Sequence, residues 1–83
     1  MKPNQQVLKH LLRFCVYNED NILTTNDFYT ADHKVRLRGE YRTLKAWYFY
    51  YKYGVFPHGK LIDPTKENRI VDCEHLIYQR NGV

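Results

Sequence analysis

Between residues 34 and 52 the chain carries Lys34, Arg36, Arg38, Arg42, Lys45 and Lys52 against Glu40 alone. Arg38, Arg42 and Lys45 stand at i, i+4 and i+7, Lys52 lies two turns on, and Phe49 is set among them. At about 100° per residue, these residues share one side of a helix. Such a row neutralises anions and reads hydrogen-bond acceptors. Arg42 can pair bidentately with a guanine edge, while Lys45 and Lys52 suit phosphate oxygens. The competing interpretation is a solvated helix face whose arginine stems cover exposed rings. Lys60, Lys66 and Arg69 form a second cationic group, with Asp63 and Glu67 against it.

Other chemistries have weaker patterns. Cys73-x-His75 with His58 matches no zinc-site spacing. Cys15 and Cys73 lie in no CxxC and read as reduced, buried thiols. Asp72 and Glu74 would share one face of a strand as a carboxylate pair. The chain has no nucleophile elbow, HExxH, phosphate-binding loop or dinucleotide glycine pattern. The expectation is therefore a non-enzymatic protein with no cofactor and no metal.

The 83 residues fit a single domain, 1–83, with one modest core. Charge is +4 and aromatic content 16%, including eight tyrosines. Mild positive charge permits nucleic acid or an acidic protein as partner. Neither a signal peptide nor a run of about 18 apolar residues is present, which leads to the expectation of a cytoplasmic protein without a membrane span.

Val7, Leu8, Leu11, Leu12 and Cys15 make an apolar stripe, predicting a first helix over about 3–17. Thr24 to Asp27 resembles a capping box, predicting a short helix over 25–32. Lys34 to Arg38 alternates polar and apolar, which favours an extended segment over a loop. Gly39 and Gly54 bracket a third helix over 40–53. Its Tyr41, Leu44, Trp47, Tyr48 and Tyr51 would form a core-facing wedge, leaving Tyr50 and Tyr53 for a partner. A turn at Asp63 to Asn68 closes a hairpin over about 60–78.

The predicted fold is thus α+β: three helices followed by a C-terminal β-hairpin. The stripe VLKHLLRFC, the segment TTNDFY, the helix EYRTLKAWYFYYKYGVF and the hairpin GKLID with RIVDC resemble, in that order, a winged helix-turn-helix domain. The resemblance implies a DNA-binding transcriptional regulator, with RNA as the alternative ligand and a homodimer as the assembly. Its nucleic-acid-binding residues would be Arg36, Arg38, Arg42, Lys45, Phe49 and Lys52, with Lys60 and Arg69 in the wing. An alternative rests on size and composition. Small aromatic-rich domains of this kind are similar to phage and mobile-element proteins that inhibit a host complex, as anti-CRISPR proteins do. That role would use the Tyr50 and Tyr53 side or the basic surface against a host protein or nucleoprotein complex.

Overall fold

A computed structural model describes residues 3–80, with side chains from Gln5 onward. Helix α1 (Pro3–Leu11) leads into strands β1 (Cys15–Tyr17) and β2 (Leu23–Thr25). Strands β3 (Lys34–Leu37) and β4 (Glu40–Thr43) run directly into helix α2 (Leu44–Tyr53). Strand β5 (Gly59–Ile62), a 3-10 turn at Cys73–His75 and strand β6 (Ile77–Arg80) complete the described chain. The six strands form three two-stranded antiparallel sheets, pairing β1 with β2, β3 with β4 and β5 with β6.

This overturns the expected three helices and C-terminal hairpin, and the winged-helix element order with them. The first helix stops at Leu11 rather than near Tyr17. Its last turn closes with Arg13 N–H to His10 O and Phe14 N–H to Leu11 O. Val16 and Tyr17 then enter a strand, as β-branched and aromatic residues favour. The polar run from Asn18, expected to end the helix, is a hairpin turn. Asn18 Oδ1 accepts from the amides of Asp20 and Ile22, both at 2.9 Å, and Asn21 takes a left-handed conformation.

The predicted helix 25–32 is absent. Thr24 and Thr25 pair in β2, and Asn26, not Thr24, caps a turn by accepting from the Phe28 amide at 3.0 Å. The ladder to β1 claims the backbone that a capping box would have used. The third helix begins at Leu44 rather than residue 40. Glu40–Thr43 is a strand because β3 offers it a partner, in the register Lys34 to Thr43 and Leu37 to Glu40. The alternation of Lys34–Leu37 does mark an extended segment, and Gly54 does end the helix, at φ 76° with its amide donating to Tyr50 O at 2.8 Å.

The first strand of the C-terminal hairpin begins one residue before the expected Lys60, and the second is shorter than expected and offset to Ile77–Arg80. Ile62 pairs with Ile77, and Gly59 with Arg80. Within the predicted strand 69–78, Ile70 instead bridges to Thr24, and Asp72 caps the 3-10 turn. Asp72 and Glu74 therefore share no strand face.

The core joins α1, α2 and the strands. Val7, Leu11, Leu23, Leu44, Trp47 and Val71 are almost wholly covered. Leu44, Trp47 and Tyr48 fall at i, i+3 and i+4, the buried stripe of α2. Trp47 Nε1 donates to the Val35 carbonyl at 3.1 Å, fixing β3 to the helix. Tyr41, placed in the wedge by a helical wheel, lies on a strand and is exposed.

Two aspartates fix loops and give a pH dependence. Burial raises the Asp63 pKa, but hydrogen bonds from the Thr65 hydroxyl and amide and from nearby backbone amides outweigh it, so the net shift is downward. Asp32 is also lowered: burial opposes, while bonds from Lys45 and Asn68 prevail. A depressed folded-state pKa stabilises above the unfolded value, about 3.9, and that contribution fades as pH falls through the folded value. The melting temperature should therefore drop as pH is lowered from about 5 to 3. In the Asp32→Asn/Asp63→Asn variant the drop should be shallower; an unchanged slope in thermal melts would refute this role.

Candidate nucleic-acid interface

The cations singled out from sequence separate into two groups. The first surrounds the β3–β4 ribbon. Directly opposed residues of an antiparallel pair share a face, so Lys34, Arg36, Tyr41 and Thr43 lie together on one side. That side is exposed at Lys34, Arg36 and Tyr41, the last at 56%. Val35 and Leu37, on the other side, pack against the core. The Lys34 ammonium and the Arg36 guanidinium stand 5.7 and 5.6 Å from the Tyr41 ring centroid, within cation–π range.

A two-residue turn, Arg38-Gly39, joins the strands with φ of 52° and 81°. This positive-φ pair is the hairpin geometry that asparagine and glycine suit best. Arginine at the first position costs about 1 kcal/mol, yet it places a cation at the ribbon tip. Arg38 also donates to Gln6 Oε1 at 3.0 Å. Replacing Arg38 by asparagine should raise stability by up to about 1 kcal/mol in urea unfolding while weakening polyanion binding. Loss of stability together with unchanged binding would contradict this.

A shallow groove runs beside the ribbon, between it and the Phe56–Leu61 segment. Three contiguous clefts of about 280, 290 and 460 Å³ make it up. Thr43, Ala46, Pro57 and Gly59 floor it, and Lys34, Arg42, Lys45 and Lys60 line it. Arg42 stacks over the Phe56 ring at 4.3 Å and meets Glu40 at 3.3 Å. Lys45 contacts Asp32 at 2.8 Å, with its side chain only 16% exposed. Lys34, Arg36 and Lys60 have no carboxylate partner among the described residues.

Gly59 matters to this groove because a Cβ there would strike the Gln79 carbonyl and the Arg80 Cα. Gly59→Ala should part β5 from β6 and cost about 1–3 kcal/mol, read from denaturant unfolding; a neutral effect would show that the pair can yield. The start of α2 offers no anion site of its own. Its Leu44, Lys45 and Ala46 amides bond to His33 O, Ala31 O and Thr43 Oγ1. Any anion must be held by side chains.

The second group is neutralised elsewhere. Lys52 sits at the far end of α2, 3.1 Å from Glu74. The Glu74 carboxylate accepting from its ammonium, against opposing burial, raises its pKa. Arg69 bonds the Asn26 carbonyl at 3.1 Å and faces Asp27 at 3.6 Å, so it ties a loop. Phe49 packs against Tyr53 and Tyr78 at 4.7 and 5.5 Å. Lys52 and Phe49 of the predicted helical row, and Arg69 of the predicted wing, thus lie apart from the other predicted site residues. Arg36, Arg38, Arg42, Lys45 and Lys60 remain together, but on a ribbon and groove rather than one helix face. Tyr50 stacks on Phe56 at 4.8 Å and meets Trp47 edge-on, which commits it to the fold. Tyr53 is exposed.

Sequence reasoning missed Lys34 and Tyr41 as site residues. The period-two alternation of 34–38 already put Lys34 beside Arg36; the outward position of Tyr41 depends on pairing that a helical wheel conceals. Cys15 is buried, and desolvation lifts its pKa to about 12, which makes it a poor nucleophile. No three or more His, Cys, Asp or Glu among the described residues are placed to share a metal ion. No helix among them is long and apolar enough to cross a membrane. Comparison with family models, curated proteins and solved structures finds no match.

Proposed function

We propose that this protein binds nucleic acid without catalysis, gripping the phosphate backbone with the β3–β4 ribbon and the groove beside it. The observation that carries this reading is the charge imbalance of the ribbon and the groove beside it. They carry Lys34, Arg36, Arg38, Arg42, Lys45 and Lys60 against Glu40 and Asp32 among the described residues. Asp32 is already met by Lys45 and by Asn68 at 2.7 Å, so it repels little. Surface ion pairs stabilise folding weakly, by about 0–1 kcal/mol, and Lys34, Arg36 and Lys60 lack even that, having no carboxylate partner among the described residues, so crowding them together does little for stability. A polyanion would release counterions on meeting them.

Anisotropy titration with a labelled nucleic-acid pool tests this. Two phosphate contacts, by Lys34 and Lys60, give a log–log salt slope of about −1.8. No binding at about 50 mM salt, or binding indifferent to salt, would refute the reading.

A second reading, docking to a host protein, draws on exposed apolar side chains. Phe28 is 88% exposed at a turn, and Ile62 and Ile77 face each other across β5–β6, both exposed. Partners retained from host lysate after nuclease treatment would favour it, and loss of every partner would count against it.

A further inference from the structure

Resting on that reading, we infer that the ligand is duplex DNA and that the outer face of the β3–β4 ribbon lies in its major groove, with Arg36 reading base edges. The expected helix insertion is not available. Leu44, Trp47 and Tyr48 of α2 are buried, Phe49 and Tyr50 are packed by Tyr78 and Phe56, and Lys45 and Lys52 are paired with carboxylates. A two-stranded ribbon is the other element that the major groove admits. Paired strands about 4.8 Å apart enter a groove about 12 Å wide and 8.5 Å deep. Lys34 and Arg36, two residues apart on β3, are spaced by about 6.8 Å, close to two base steps of about 3.4 Å each.

The side chains divide by chemistry. Arg36 presents a planar fork whose geometry matches the O6 and N7 acceptors of guanine. The Tyr41 ring opposite holds that fork at 5.6 Å. Lys34 is a point charge suited to phosphate, as is Lys60 across the groove. One DNA strand would then run along the Thr43–Ala46–Pro57–Gly59 floor between these two lysines. The same geometry rejects duplex RNA, whose major groove is too narrow for side chains to read.

The experiment compares three labelled probes with the full chain by anisotropy: a random-sequence DNA duplex of about 20 bp, one of its strands alone, and a duplex RNA of equal length. Duplex DNA should bind about tenfold or more tightly than either other probe. Selection from the duplex DNA pool should then enrich a guanine-containing motif. Arg36→Lys should lose that enrichment, because lysine keeps the charge without the fork. Equal or tighter binding of the single strand or of RNA overturns the inference and leaves the cationic surface as a nucleic-acid site. So does a motif that Arg36→Lys still selects, or the absence of any enriched motif. Binding to none of the probes removes the general reading as well. Arg36 is exposed, and a thermal melt matching that of the wild type establishes that a changed result is not unfolding.

Discussion

Trp47→Ala will cost about 3–5 kcal/mol of folding stability. A chain of 83 residues has about 4–12 kcal/mol to lose, so this one change removes a quarter of it or more. Trp47 is 1% exposed and is among the largest fully buried side chains. It meets Phe56 edge-on at 5.0 Å and Tyr50 at 5.8 Å. Truncation would leave a cavity between α2, the ribbon and the start of the groove, and the Val35 carbonyl would lose its indole donor. The loss therefore reaches the site: β3 would no longer be pinned to the helix that supports it. Urea unfolding followed by circular dichroism measures the effect. Trp47→Phe separates its two parts, keeping most of the ring contact while deleting the hydrogen bond, at about 1 kcal/mol. A loss below about 1 kcal/mol for the alanine variant would mean that the core does not centre on this residue.

How much of this was legible in the sequence depends on which interactions are local. The stripe of α1, the end of α2 at Gly54 and the alternation of Lys34–Leu37 are set by neighbours within a few residues, and each could be read. The three hairpins depend on pairing. Cys15–Tyr17 continues the apolar pattern of the first helix, and nothing local shows that Leu23–Thr25 will draw it into a sheet. Glu40–Thr43 is the sharper case. Arg42 and Lys45 stand three apart, as on a helix, yet Thr43 between them is the N-cap, its Oγ1 accepting from the Ala46 amide at 3.2 Å. A threonine four residues after a glycine is a weak signal beside seven aromatic residues. The helical wheel accordingly carried Arg38, Arg42 and Tyr41 onto a helix that had not begun. The cationic character of the segment survived that error, because charge belongs to composition, whereas the shape that presents it belongs to long-range pairing.

Charge reversal at Arg36 will have the largest effect on binding. Arg36→Glu removes a cation from the centre of the ribbon face and places a carboxylate beside Lys34 and Tyr41. Losing an arginine contact to nucleic acid costs about 1–3 kcal/mol, and repulsion adds to it, so affinity should fall about 10- to 100-fold or more. Stability should change little, because Arg36 is exposed and the partner it meets among the described residues is one side of an exposed ring.

Lys52→Glu makes the same change in net charge at the far end of α2, where the native lysine already faces Glu74. The most direct measurement is the affinity of these two variants and the wild type for one labelled nucleic-acid probe, in one low-salt buffer. If the ribbon is the binding surface, Arg36→Glu binds at least about tenfold more weakly than the wild type, while Lys52→Glu shows only the small loss that a lower net charge brings. Equal losses for the two would mean that overall charge, and not the ribbon, holds the nucleic acid, and a larger loss for Lys52→Glu would place the interface at the other end of the helix.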